Sequence, residues 1–184
     1  NNADANGYGD FFYSPPSGYL CACSKNLPTP TIALPGEHFN TVLYSGAGGS
    51  AGSGTTQAVT GVGFEPDLVW NKIRTSTNWH QLYDQVRGAN KAVFSNEAYV
   101  EYTYSGGVQS FDSDGFTVGN DANSTLNVTG STYVTWNWKA NGSGSSNTDG
   151  SINTTATSAN TTAKFSISTY TGTGSAATVG HGLG

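Results

Sequence analysis

Alternation of apolar and polar positions, two residues to the repeat, runs through most of this chain. It is clearest over 131–139, where Val134, Trp136 and Trp138 share one face and Tyr133, Thr135 and Asn137 the other. That is the period of a half-buried strand, and the tryptophan face is the natural choice for the core. Residues 38–45 give a second strong strand, and 56–61 and 67–73 two more, parted by a turn at Glu65-Pro66. Residues 79–86 fit either a strand or a helical turn. Residues 98–104 alternate well, and 108–112 and 116–119 bracket Asp112-Ser113-Asp114-Gly115, a hairpin signal. Nearer the start, 10–14 and 19–23 flank Pro15-Pro16-Ser17-Gly18 and read as strand, turn, strand. Pro28, Pro30 and Pro35 then mark an extended linker, because each removes a backbone donor. Residues 46–54, all Gly, Ala or Ser, read as a flexible loop, and 141–162 as a surface loop or a linker between modules. About nine short strands without a convincing helix predict an all-β fold, an antiparallel β-sandwich of jelly-roll or lectin-like type.

A longer period overlies the short one. Phe39-Asn40-Thr41-Val42-Leu43-Tyr44-Ser45-Gly46 is echoed by Phe165-Ser166-Ile167-Ser168-Thr169-Tyr170-Thr171-Gly172, 126 residues later. Each block is followed by small residues and then a Gly-x-Gly-apolar element, Gly61-Val62-Gly63-Phe64 and Gly180-His181-Gly182-Leu183. The pattern predicts a module over 37–163 and the first strands of a second copy over 164–184, after a preceding piece and Pro-rich linker at 1–36.

Composition narrows the functional classes. Charged residues make up 10% of the chain and Gly numbers 25, so Ser, Thr and Asn supply the polar surface. Such a surface suits an extracellular or virion protein. Eight Phe, four Trp and ten Tyr give enough apolar area for a core and argue against disorder. The net charge is −5 and the seven basic residues are scattered, which disfavours nucleic-acid binding. No apolar run approaches the roughly 20 residues that span a bilayer, so no membrane insertion is expected. Cys21 and Cys23 share a face if they lie on a strand, where they are poorly placed to bridge each other; they read as small buried residues.

Candidate chemistry is sparse. His80, Asp84 and Arg87 are the one place where a His, an acid and an Arg lie close in sequence, and Asp84 with Arg87 reads best as a structural pair before a turn at Gly88. Asp112-x-Asp114-Gly115 has a distant likeness to a calcium loop, to which Asp121 and Asn123 could add oxygens, but it lacks the late Glu and reads better as a turn. Glu65, Glu97 and Glu101 show no pairing suited to glycoside hydrolysis. No Ser lies in a nucleophile elbow. No catalytic residue, metal site or cofactor is expected. Trp70, Trp136 and Trp138 are assigned to the core, which leaves Trp79, with its neighbours Asn78 and His80, as the best exposed contact for a glycan or protein. Five Asn-x-Ser/Thr sequons, at Asn123, Asn127, Asn141, Asn153 and Asn160, match what composition alone would give.

Four blocks taken in order carry a resemblance. They are Thr60 to Trp70 (TGVGFEPDLVW), Tyr83 to Lys91 (YDQVRGANK), Ser110 to Gly119 (SFDSDGFTVG) and Tyr133 to Ala140 (YVTWNWKA). Together they resemble a module of tailed-phage virion proteins, found in tail-fibre-like proteins of marine and cyanobacterial phages. The likeness spans about residues 38–184. The segment Gly9 to Leu20 is similar to the closing strands of a SPRY-like, lectin-type domain. The resemblance implies a non-enzymatic virion surface protein, a fibre or appendage segment that displays loops for host attachment. Its implied partners are other virion subunits and a host glycan or protein, and its implied state is a homo-oligomer, with a trimer favoured. The loops 46–54, 76–80 and 141–162 are the candidate contacts. A capsid or tail decoration that binds only virion subunits, and a carbohydrate-binding module, are the alternative expectations.

Overall fold

The computed structural model describes residues 1–121 and 126–184. They form two compact units, residues 1–33 and 34–184.

The first unit has no paired strands. Its centre is Asp4, whose carboxylate accepts the backbone N–H of Asn6 and Tyr8, each at 2.9 Å, that of Cys21 at 2.7 Å, and the Asn26 amide at 2.6 Å. One carboxylate thereby ties the 4–8 turn to the 21–26 segment, where Ser24–Asn26 makes a single helical turn. The expected strand, turn, strand over 10–23 is corrected. Only Phe11 forms a ladder-type bridge, to Asn2, because side-chain bonds to Asp4 hold this short stretch in place of a backbone ladder. Cys21 and Cys23 are half-buried free thiols, and so are not the fully buried pair that alternation predicts.

The second unit is the all-β fold expected from the sequence, with antiparallel sheets packed together. Its strands are β1 (Phe39–Ser45), β2 (Gln57–Thr60), β3 (Leu68–Ile73), β4 (Gln81–Asp84), β5 (Lys91–Phe94), β6 (Tyr102–Thr103), β7 (Val108–Asp112), β8 (Gly115–Val118), β9 (Thr132–Trp138), β10 (Ala156–Asn160) and β11 (Phe165–Thr169). A large sheet has the order β1-β9-β3-β4-β5-β6, a smaller one β2-β8-β7, and β10 pairs with β11. Val69, Tyr83, Ala92 and Phe94 of the large sheet meet Val59, Val108, Phe116 and Val118 of the small sheet in one buried cluster. Fully burying a side chain the size of Phe116 or Val118 stabilises the fold by about 1.5–3 kcal/mol.

β9 lies between β1 and β3, and there the face assignment is corrected. Tyr133, Thr135 and Asn137 point inward, whereas Val134, Trp136 and Trp138 lie half-buried on the outer face. The inner side-chain donors find acceptors nearby, whereas the buried Asn137 Oδ1 has no described partner. Asn137 donates to the Asn40 carbonyl at 3.1 Å and to the Thr135 hydroxyl at 3.1 Å, and Tyr133 stacks on Tyr44 with centroids 4.8 Å apart. The tryptophans cover one another instead: Trp70 and Trp136 lie 5.2 Å apart, Phe39 and Trp138 5.0 Å, and Phe165 stacks on Trp138 at 6.0 Å. Trp70, also expected in the core, is half-buried on this outer face.

Other expectations shift in detail. The 79–86 segment contains a strand, β4, over Gln81–Asp84. Lys91–Phe94, too short to stand out in the sequence, is β5. Of 98–104 only Tyr102–Thr103 is a strand. The 46–54 loop is tied down. Asn120 Nδ2 donates to the carbonyls of Gly48 at 2.8 Å and Ser50 at 2.9 Å, while Asn127 Oδ1 accepts the N–H of Ala47 and Gly48. Residues 141–162 contain β10 and a bridge from Ser145 to Thr157, so this stretch is built structure and not a free loop or linker. A second tandem copy is not shown; β11, the echo of β1, pairs with β10.

Candidate functional site

Strands β4 and β5 pair with Gln81 opposite Phe94 and Leu82 opposite Val93. Just beyond this ladder the Ser95 N–H donates to the His80 carbonyl at 3.2 Å, and the His80 N–H to Asn96 Oδ1 at 2.8 Å. The segment before β4 is thereby held against the turn after β5, which places Trp79 over Phe94. Their ring centroids are 5.3 Å apart and the planes cross at 69°. The connection from β5 to β6 then carries Tyr99 back to the same place, 5.3 Å from Trp79 and 6.1 Å from Phe94. Tyr102 and Tyr104, 4.5 Å apart, close the far side. Edge-to-face packing of this kind favours a fixed arrangement of rings.

The result is an open pocket of about 330 Å³ lined by Trp79, Phe94, Tyr99, Val100, Tyr102 and Tyr104. Phe94 and Tyr104 form a buried floor, and Trp79 (37% exposed), Tyr99 (57%), Val100 (82%) and Tyr102 (49%) an accessible rim. Burial raises the Tyr104 phenol above its usual range, with Tyr102, Asp121 and Tyr99 adding to the rise. Tyr104 is therefore a neutral wall of the pocket. Among the described residues the lining has no carboxylate, imidazole, amine or thiol. It can hold a group with a flat apolar face and offer phenol hydroxyls at the rim; among its lining side chains it supplies no carboxylic acid, imidazole or strong nucleophile.

The sequence-derived candidates fall as follows. Trp79 lies on the pocket rim, whereas Asn78 and His80 do not line it. Phe94, Tyr99, Val100, Tyr102 and Tyr104 were not foreseen as a site, although the run Tyr99, Tyr102, Tyr104 with Trp79 upstream was the signal available. Asp84 does pair with Arg87, at 2.6 Å, and the Gly88 N–H closes the turn on the Asp84 carbonyl at 3.0 Å. No described contact brings His80 to this pair. Arg87 and Lys91 reach Glu101 at 3.5 and 3.3 Å. Glu65 accepts from Gln85, and Glu97 from Asn96, so these acids do not converge.

Asp112-Ser113-Asp114-Gly115 is the β7–β8 turn. Asp112 accepts the hydroxyls of Ser110 and Thr117, each at 2.8 Å. Asp114 accepts the N–H of Gly63 at 2.7 Å and of Gly61 at 3.1 Å. The Gly61-Val62-Gly63 stretch thus has a structural role. With φ of +87° and +86°, Gly61 and Gly63 turn both amides onto one carboxylate, a conformation that costs other residues about 1–2 kcal/mol. Asn123, as a sequon and as a candidate oxygen ligand, lies outside the described residues. Of the other sequons, Asn127 is fully buried and hydrogen-bonded, which leaves no room for a glycan in the folded state. Asn141 and Asn153 are exposed.

A family model described as a domain of unknown function, DUF7483, matches residues 34–184. The chain belongs to this family. The matched stretch coincides with the second compact unit, so the aromatic pocket is a feature of the DUF7483 domain as it stands in this chain. No curated protein and no solved structure matches the chain.

Proposed function

We propose that this DUF7483 domain is a non-enzymatic display module of a bacteriophage virion surface protein, which attaches to the host by taking a sugar ring of a surface glycan into the aromatic pocket. The observation that carries the reading is the accessible rim of Trp79, Tyr99 and Tyr102 around a buried Phe94 and Tyr104 floor. A pyranose has an apolar C–H face that suits aromatic rings and equatorial hydroxyls that suit rim phenols. A volume of about 330 Å³ accommodates about one such ring and its immediate substituents. The low charge, the hydroxyl- and amide-rich surface and the resemblance of the four motif blocks to phage virion modules are what favour a virion placement. One ring per domain gives weak binding, which several copies on one particle would convert to avidity.

The test is a glycan array probed with the full chain and with Trp79→Ala. Binding to a restricted set of glycans, weakened at least about tenfold by Trp79→Ala, is the expected result. Failure of the folded wild-type chain to bind any glycan at millimolar concentration would overturn the reading.

A further inference from the structure

The sheet edges of the DUF7483 domain differ sharply in how they are protected. At one end of the large sheet, β6 is only two residues long and is flanked by Glu101, which pairs with Lys91. In the small sheet, β7 carries a register shift between Val108 and Ser110, and β2 has four residues. Short strands, charges and bulges are the usual guards against edge-to-edge pairing. β1, at the other end of the large sheet, has none of them. It is seven residues of regular strand, Phe39–Ser45, without charge, proline or bulge, and among the described residues it pairs with β9 alone.

The ladder fixes which groups this edge presents. Backbone bonds from Lys139 N–H to the His38 carbonyl and from Gly46 N–H to the Ser131 carbonyl bracket the β1–β9 pairing. The two-residue repeat of an antiparallel ladder therefore turns the N–H and C=O of Asn40, Val42 and Tyr44 toward β9, and those of Phe39, Thr41, Leu43 and Ser45 outward. Among the described residues the Thr41 N–H is engaged by the neighbouring Asn40 side chain alone, and the Ser45 carbonyl by Gln57. The backbone groups of Phe39 and Leu43 have no described partner. Their side chains are 41% and 61% exposed and lie on the same outer face as Trp136 and Trp138.

We infer that β1 is a self-association edge: two copies of this chain pair β1 against β1, antiparallel, about a two-fold axis at Thr41. This register sets Phe39 of each copy opposite Leu43 of the other and Thr41 opposite Thr41. All the outward groups of residues 39, 41 and 43 meet outward groups, so the parity of the ladder is obeyed. The two Phe39–Leu43 contacts continue the apolar row of Trp136 and Trp138 across the junction. An uncharged strand meets its own copy without like-charge repulsion, which a charged edge would suffer. The occupant is thus a second copy, and the state is a dimer in place of the trimer that the fibre resemblance implies.

The test uses the full chain. Sedimentation velocity at tens of micromolar is expected to give a dimer. Thr41→Pro removes an outward N–H and no β1–β9 bond, so it should raise the dissociation constant at least about tenfold while circular dichroism stays native. Independently, Thr41→Cys in a Cys21→Ser, Cys23→Ser background should oxidise to a dimer linked 41 to 41, since directly opposed hydrogen-bonded residues lie about 5.5 Å apart, within disulfide reach. A wild-type chain that is monomeric or trimeric, a dimer untouched by folded Thr41→Pro, or a failure of the 41–41 cross-link would each overturn the inference.

Discussion

Tyr44→Phe isolates a polar contact buried in the sandwich. The Tyr44 hydroxyl donates to the Leu126 carbonyl at 2.8 Å and accepts from Asn71 Nδ2 at 2.8 Å. Burial drives the phenol well above its usual range, partly offset by the Asn71 bond and reinforced by nearby Tyr133, so it stays a neutral donor. Phenylalanine keeps the ring, with its stack on Tyr133 and its edge contact with Phe116 at 6.4 Å. What changes is confined to two hydrogen bonds. Asn71 is fully buried, and its Oδ1 already has no described partner, so its Nδ2 cannot turn to water. A buried polar group left unpaired costs about 1–3 kcal/mol, and the Leu126 carbonyl adds a smaller loss, for a total of about 2–4 kcal/mol. For a domain of this size that lowers Tm by roughly 5–15 °C. Urea unfolding followed by tryptophan fluorescence should give a lower midpoint with an unchanged m-value. Adding Asn71→Leu removes the stranded donor, so the double-mutant cycle should show a coupling of about 1–2 kcal/mol. A Tyr44→Phe cost below about 0.5 kcal/mol, or strict additivity, would refute the reasoning.

Further outcomes follow from two carboxylates, Asp4 and Asp67, and from two glycines, Gly61 and Gly115. For Asp4, burial alone would raise the carboxyl, but hydrogen bonds from Tyr8, Cys21, Asn26 and Asn6 outweigh it and hold it at about 2, below the ordinary 3.8. Its contribution is therefore present above about pH 4 and lost as pH falls through about 2, and a carbon-detected NMR titration should place the Asp4 midpoint near 2. For Asp67 the sign reverses. Burial raises its carboxyl in spite of the N–H donors of Ala140 at 2.5 Å and Gly142 at 2.7 Å. Its effect favours the fold most below pH 3.8 and fades as pH rises through the raised value, a dependence that Asp67→Asn should abolish in pH-dependent urea melts. Asp67→Asn also sets an amide against a buried N–H, and should cost about 1–3 kcal/mol at neutral pH. Gly61→Ala meets no atom within 4 Å, so its expected loss of about 1–2 kcal/mol comes from backbone conformation alone. At Gly115 a Cβ would lie 2.0 Å from the Val59 carbonyl, so Gly115→Ala should cost clearly more than Gly61→Ala in the same denaturation assay.

The alternation over 131–139 made the strand legible, but alternation says only that two faces differ. It does not say which one is buried. Size and hydrophobicity favoured Val134, Trp136 and Trp138, and the opposite face is the inner one. Asn137 and Thr135 fit inside because each donates to a carbonyl of the adjacent strand, Asn40 and Val42, which a one-dimensional pattern cannot display. The three tryptophans fit outside because neighbouring strands and Phe39 and Phe165 supply aromatic partners, contacts set by register between distant segments. The aromatic pocket was half-visible for the same reason. Trp79 stood out, whereas Phe94 and Tyr104 became its floor only through the pairing of β4 with β5 and of β5 with β6. Where the sequence signal was local, the reading was closer. Asp112-Ser113-Asp114-Gly115 is a turn, and Asp84 pairs with Arg87 three residues on. The repeated Gly-x-Gly element lies between these cases: its glycines were conspicuous, but their purpose needed Asp114, more than fifty residues away. This contrast bears on the β1–β11 likeness. Similar sequences took different partners, β9 for one and β10 for the other, because partner choice is a property of the sheet and not of the strand. A strand such as β1, uncharged and unguarded, keeps that freedom on its outer edge, which is why the proposed self-pairing is placed there.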